Sequence, residues 1–293
     1  MIGSLTYLGT FNGAVSGGSK IFFDVPCRGR YNTFYIVATK TAGAAPTDVE
    51  LAAAVGDIEG TINGFQAVKI NGVNMAQIAQ SMNVPLATAG GIIAIPLYCP
   101  NYDLYAERYN FTWALSKVQT ATLTINIKSA AAVLRYDLYA DWSGNDTDPL
   151  GAFQCYGTQI LTAGAAQFDN NSLNTYGSDA IVQGHYLSFV GGTNPTIANV
   201  YVDADNNTIM NNALPSISLI GAQMSKYTIP TMVPGGYPAF PFVQIWDGAN
   251  KPTSGLITAG IAKLRLRATL GGDAVATSLQ INTRYIKGAV IGK

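Results

Sequence analysis

A sequence block recurs along this chain, and an internal repeat constrains a fold more tightly than any single motif. Thr61-Ile62-Asn63-Gly64 leads through a polar–apolar alternation into Asn71-Gly72-Val73-Asn74-Met75. Thr196-Ile197-Ala198-Asn199 leads in the same way into Asn206-Asn207-Thr208-Ile209-Met210. The spacing is 135 residues at 61/196, at 71/206 and at 75/210. Further on comes Ile-Pro-x-x-x-Pro, once at Ile95–Pro100 and once at Ile229–Pro234, 134 residues apart. Two motifs recurring in order predict a duplicated domain. In a chain of 293 residues each copy has ordinary domain size and can bury its own core. The acidic, turn-rich run Asp141-Trp142-Ser143-Gly144-Asn145-Asp146-Thr147-Asp148-Pro149 is too short for a free tether. The boundary is placed there, giving domains 1–146 and 147–293.

Both copies carry strand chemistry. Lys20–Val25, Thr33–Val37 and Gly91–Ile95 are short apolar or aromatic runs bounded by Gly, Pro and Asn. Thr122–Lys128 and Lys263–Arg267 alternate with period two, which sets one face to the core and one to water. Ser278–Tyr285 alternates too and reads as the hairpin partner of Lys263–Arg267. The pattern is all-β and sandwich-like. Two short helices interrupt it in the first copy. Thr47-Asp48-Val49-Glu50 is a capping box ahead of Leu51–Val55, with Gly56 as the stop. Asn74 is the expected cap of Met75–Met82, whose Met75, Ile78, Ala79 and Met82 share a face. The matching second-copy helix, Ile209–Ala213, is shorter and is cut off by Pro215.

Composition narrows the function. Lys+Arg and Asp+Glu are both 17, so the dominant basic footprint of a nucleic-acid binder is missing. Charged residues make up 12%, about half the ~25% typical of soluble domains. A neutral, charge-poor surface associates readily, so an assembly subunit fits better than a free enzyme. Cys27, Cys99 and Cys155 have no C-x-x-C spacing and read as small buried hydrophobes. The residues 1–5 lack the basic-then-apolar pattern of a signal peptide, and no apolar run is long enough for a spanning helix.

The chemical motifs are few, and no catalytic, cofactor or metal residue is assigned. His185 is the sole histidine, lies in an expected strand, and is read as structural. Asp203-Ala204-Asp205-Asn206-Asn207 resembles the start of a calcium loop, but Thr208 and Leu214 stand where its Gly and Glu would be. A turn is the favoured reading there, and calcium stays open both there and at Asp141, Asp146 and Asp148. Lys263, Arg265 and Arg267 put three cations on one strand face, by default solvated or ion-paired, with a membrane or nucleic-acid contact as the alternative. No glycine pair forms a phosphate-cradling pattern.

Tandem all-β halves, helices in inter-strand loops, scarce charge and no catalytic kit resemble one family, the double jelly-roll major capsid proteins of the adenovirus, tectivirus and corticovirus lineage. The small members from icosahedral bacteriophages with an internal membrane are nearest in length. The resemblance is carried by the block Thr61–Met82, its echo Thr196–Leu214 and the closing β-pair Ile261–Tyr285. It implies two tandem eight-stranded jelly-roll sandwiches per subunit and no enzymatic activity. It also implies a homotrimer with six similar barrels, a pseudo-hexagonal capsomer that touches neighbouring capsomers, penton and minor capsid proteins and an internal viral membrane. The protein would then reside in the virion after assembly in a host cytoplasm. Two alternatives remain. A lectin-like adhesin or fibre head would expose Trp113, Trp142 or Trp246 beside Asp/Asn clusters. A single jelly-roll capsid protein with a decorating domain would make the repeat a coincidence.

Overall fold

Period-two alternation becomes period-two burial. In Ala121–Ile127 every second residue is buried and the ones between are half-exposed, and Lys20–Asp24 alternates in the same way. The computed structural model describes residues 4–40, 43–82, 84–87, 89–99, 107–129, 135–144, 146–162, 167–170, 172–190, 196–213, 242–247, 256–257, 259–271 and 278–288. Contacts divide the chain into two units, the first running Met1–Gly157 and the second beginning at Thr158. That changeover lies eleven residues beyond the 146/147 boundary read from the acidic run (157 against 146).

The first unit contains β1 (Ser4–Thr10), β2 (Lys20–Asp24), β3 (Arg30–Thr39), α1 (Asp48–Ala54), β4 (Val55–Ile62), β5 (Phe65–Asn71), α2 (Gly72–Ser81), β6 (Ile92–Pro96), β7 (Trp113–Ala114), β8 (Ala121–Ile127) and β9 (Arg135–Ser143). One sheet has the order β1-β9-β3-β6, with β7 also on β3; the other has the order β2-β8-β4-β5. Trp113 ties the two faces together. It belongs to the first sheet through β7, and a Cβ on Gly60 of β4 would sit 3.3 Å from its ring. Its indole is fully buried, meets Phe34 edge-on at 5.6 Å, and donates to the Gln154 carbonyl at 2.9 Å.

The second unit is made from β10 (Phe153–Thr162), β11 (Gln167–Asn170), β12 (Ala180–Val190), β13 (Thr196–Ala204), β14 (Asn207–Ala213), β15 (Phe242–Asp247), β16 (Leu256–Ile257), β17 (Leu264–Gly271) and β18 (Ser278–Lys287). β10 begins in the first unit and ends in the second. The sheet orders are β10-β18-β12-β15, with β16 on β12, and β11-β17-β13-β14. Adding nine to each first-unit strand number reproduces every one of these neighbours. Leu187, Leu279 and Ile281 from one sheet and Phe168, Val200, Val202, Leu264, Leu266, Ala268 and Leu270 from the other form one apolar cluster. Each half is thus an eight-stranded jelly roll with one extra two-residue strand, and the fold is a double jelly roll.

The duplication is present, but in a different register from the sequence block. The two tight hairpins turn at Asn63-Gly64 and at Asp205-Asn206, all four with positive φ, and stand 142 residues apart (205 less 63). The block at spacing 135 matches the N-cap Asn71 to a hairpin turn and α2 to β14. Residues Ile209–Ala213 are therefore strand, not helix. β13 offers them a ladder, with Met210 opposite Val202 and Ala213 opposite Asn199. The second Ile-Pro-x-x-x-Pro, Ile229–Pro234, lies outside the described residues.

Three local expectations also change. Ser278–Tyr285 does not form a hairpin with Lys263–Arg267: β17 pairs with β11 and β13, and β18 pairs with β12, in the other sheet. The capping box is intact, with Glu50 N donating to Thr47 Oγ1 at 3.3 Å and Thr47 N to Glu50 Oε2 at 2.8 Å. Its helix, however, passes straight into β4 at Val55, so Gly56 is a strand residue, where a Cβ would meet the Asn126 carbonyl oxygen at 2.9 Å. The cap of α2 is Asn71, whose Oδ1 accepts from Val73 N at 3.0 Å, and Asn74 lies inside the first turn. All ten residues of α2 are buried, so its apolar stripe understated how fully it is enclosed. Leu266 lies at the centre of the second core with no exposed surface. Leu266→Ala is expected to lower unfolding stability by about 2–5 kcal/mol in urea titrations.

Candidate functional site

Charge is so scarce that its placement is informative. The acidic run after β9 is anchored by Arg30 at the start of β3. Gly29 makes this approach possible: its φ is +69°, and a Cβ there would run into the Ser143 carbonyl oxygen. Gly29 N donates to Ser116 Oγ at 2.9 Å, and that hydroxyl donates to the Asp146 carbonyl. Arg30 reaches over the segment, with Nε on the Asp146 carboxylate, Nη2 on Asp148 at 3.0 Å and Nη1 on Thr112 Oγ1 at 3.2 Å. Burial alone would push the Asp146 carboxyl up, but Arg30 and the Asp148 amide outweigh it and hold it below the usual carboxylate range. Asp141 stays apart, near the Asn32 amide at 3.4 Å, its carboxyl raised by burial. The run is therefore an ion-paired strap rather than a solvated loop.

The second acidic stretch is also committed. Asp205 accepts from the amides of Lys263 at 2.8 Å and Ala262 at 3.1 Å, which pins the β13–β14 turn to the start of β17. Asp203 accepts from Thr208 Oγ1 at 2.7 Å and from Arg267 Nη2 at 3.0 Å. The turn reading holds for this stretch. Among the described residues no three Asp, Glu, His or Cys side chains are placed to share a metal ion.

The cations of β17 stand on the outward face of the second roll. Arg265 grips Asp169 through Nε at 2.8 Å and through Nη2, and Arg267 adds a stack over the Tyr201 ring at 4.8 Å. Arg265 holds the Asp169 carboxyl below its ordinary range. Together with Lys263, Asp203, Asn206 and Thr208 these arginines line a cleft of about 230 Å³. Arg265 and Arg267 are thus ion-paired, and Lys263 is exposed. In the first roll the corresponding strand, β8, carries Thr122, Thr124 and Asn126 on its outward face, so the charge belongs to one roll alone.

The remaining singled-out residues are structural. His185 is buried in β12, its Nδ1 3.0 Å from Thr283 Oγ1, and burial pulls its pKa down to about 4. Cys99 and Cys155 are buried and Cys27 is half-buried, all as free thiols. Trp113 is not exposed as a sugar platform would be, and Trp142 is half-buried between Tyr31, stacked at 5.4 Å, and Arg28, 5.1 Å above its ring. The side chain of Trp246 lies outside the described residues. Sequence reasoning missed the Arg30 strap, since nothing local links Arg30 to residues 116 and 118 positions away. The available signal was the pair of arginines around a glycine, Arg28-Gly29-Arg30, together with an acidic run in a chain poor in charge.

Comparison with known proteins places the fold. Residues 6–143 match the family model of the viral coat protein P2 N-terminal domain. No curated protein matches the sequence. Among solved structures, the major capsid protein P2 from bacteriophage PM2 is similar with a TM-score of 0.73 at 11% identity, covering 97% of each chain. The STIV MCP is similar with a TM-score of 0.64 at 11% identity, again covering 97% of each chain. The PBCV-1 virus capsid structure is similar with a TM-score of 0.58 at 11% identity, covering 97% of this chain and 95% of that one. These are double jelly-roll major capsid proteins, and this chain has their fold along nearly its whole length.

Two outcomes are expected. Arg30→Ala leaves Asp146 and Asp148 without their cation and should cost about 1–3 kcal/mol in equilibrium unfolding. For His185, the folded pKa of about 4 lies below the ordinary imidazole value of 6.5, so between them the unfolded chain binds a proton that the folded chain refuses. Stability is then lost as pH falls from 6.5 toward 4, by at most roughly 3 kcal/mol. Melting curves of His185→Gln across that window should fall less steeply than those of the parent.

Proposed function

We propose that this chain is a major capsid protein, the structural subunit of an icosahedral shell, and that it assembles as a homotrimer whose six rolls form a pseudo-hexagonal capsomer. The observation that carries this reading is the duplicated pairing pattern, in which every strand has a counterpart with the same neighbours within its own roll. Three such chains present six similar barrels, which lets a trimer occupy a site with six neighbours. The fold shared with the PM2, STIV and PBCV-1 proteins supports it along both rolls.

Surface chemistry agrees with a life in contact. Only 12% of residues are charged, and much of that charge is spent on pairs inside one subunit, such as Arg30 with Asp146, Arg265 with Asp169 and Lys287 with Asp179. Leu5, Tyr7, Phe22, Val49, Leu86 and Ile160 remain exposed apolar groups. An interface covering such groups gains from each of them about 25 cal/mol per Å² removed from water. The further partners are neighbouring capsomers, penton and minor capsid proteins, and an internal viral membrane, in a virion assembled in a host cytoplasm.

The deciding measurement is the mass and shape of purified protein under assembly conditions. A particle of about 93 kDa, three copies of 30.9 kDa, with near six-fold projections in negative-stain images is the expected result. A stable monomer of 30.9 kDa under those conditions would sink the capsomer reading.

A further inference from the structure

We propose that the free edge of β1 docks a second copy of this chain, whose β14 lies parallel alongside it. One strand edge is already covered inside the first unit. There the opening residues of β10 lie next to β5, in parallel, with Tyr156 opposite Val68. Tyr156 is 1% exposed, and its hydroxyl donates to the Pro96 carbonyl.

Both partners have counterparts elsewhere in the chain. β10 corresponds to β1, since each flanks the last strand of its roll, β18 or β9. β5 corresponds to β14, the second strand of the equivalent hairpin. Among the described residues β1 pairs only with β9, and β14 only with β13. Among the described residues, a contact formed once is thus left open a second time, with one half at each place.

The register can be followed to the residue. Arg135 lies opposite Thr39 in the first roll, and Ser278 opposite Val190 in the second, so Tyr139 corresponds to Asn282. Tyr7 lies opposite Tyr139 and packs its ring on it at 5.2 Å; Thr158 Oγ1 donates to Asn282 Oδ1 at 2.8 Å. Tyr7 therefore holds the place of Thr158, and Leu5 the place of Tyr156. The contrast in burial is large: Leu5 is 56% exposed and Tyr7 48%, against 1% for Tyr156. With the hairpins 142 residues apart, the backbone position matching Val68 is Met210.

An edge strand carrying exposed apolar side chains and unpaired backbone groups is a template for another strand. Because β1 and β14 are different surfaces of one chain, the contact is heterologous, and in the trimer of the capsomer reading its rotation closes a ring. The occupant is a second copy because the matching edge, β14, belongs to this same chain. The proposal rests on the capsomer reading for the number of copies in the ring.

The test compares the parent protein with Leu5→Lys/Tyr7→Glu and with Val49→Asp, a control at another exposed apolar residue, by sedimentation over a dilution series. The β1 variant is expected to associate at least about tenfold more weakly while its diluted monomer stays folded, and the Val49 variant to associate like the parent. Hydrogen exchange on the parent supplies a readout independent of any substitution: amides in Ser4–Thr10 and Asn207–Ala213 should be slower in the oligomer than in diluted monomer. A β1 variant that associates as tightly as the parent, or an oligomer without added protection in both strands, overturns this contact and leaves the capsomer reading standing. A parent chain that stays monomeric overturns both.

Discussion

Neither roll can close until its last strand slips between two strands from its beginning. β9 lies between β1 and β3, with Tyr139 opposite both Tyr7 and Tyr35. β18 lies against β12 in the same way, with Asn282 opposite Tyr186. These pairings join residues about a hundred positions apart, so loop-closure entropy is lost before the ladder can compensate. The hairpins β4–β5 and β13–β14 are local, whereas β2–β8 and β11–β17 also join strands about a hundred positions apart. The centre of each roll is therefore where the sequence is least tolerant: Leu138 and Ala140 in β9, and Leu279 and Ile281 in β18, are buried to 2% or less.

Around those sandwiches, charge is used to hold connections rather than to perform chemistry. Arg30 straps the segment that leaves the first roll, Asp205 pins a hairpin turn to the start of β17, and Lys40 holds the Glu50 carboxylate at the head of α1. Each pair fixes a loop that a sandwich leaves unspecified. The cation row of β17 follows the same rule, since two of its three members are answered by Asp169 and Asp203. Among the described residues the surface also offers exposed apolar groups, such as Leu5 and Ile160, and the edges of β1 and β14.

How much of this was legible beforehand varies by level. The strands were readable because period-two alternation is local: β8 falls within a residue of its expected limits, and β17 starts one residue late and runs on to Gly271. The capping box was readable because a hydroxyl and a carboxylate three residues apart have few other uses. The helix expected at Ile209–Ala213 failed because five residues carry no period, and β13 supplied hydrogen bonds that the sequence does not display. The hairpin expected between Lys263–Arg267 and Ser278–Tyr285 failed for a related reason. Alternation says that a strand has two faces, and nothing in it says which sheet the strand joins.

The repeat shows where that division lies. Duplication was detectable in the sequence, because copies of one fold reuse the same local patterns of strand and turn. The true correspondence was not, since the structural spacing is 142 at the hairpins whereas the residues that look alike stand 135 apart. By itself the sequence determined an all-β chain with two similar halves, little charge and no catalytic set, because those follow from composition and short-range periodicity. Only the tertiary structure decided which strands neighbour which, where Arg30 finds its carboxylates, and which edges stay open. Those outcomes depend on contacts between residues far apart in the chain, and short-range pattern carries no information about them.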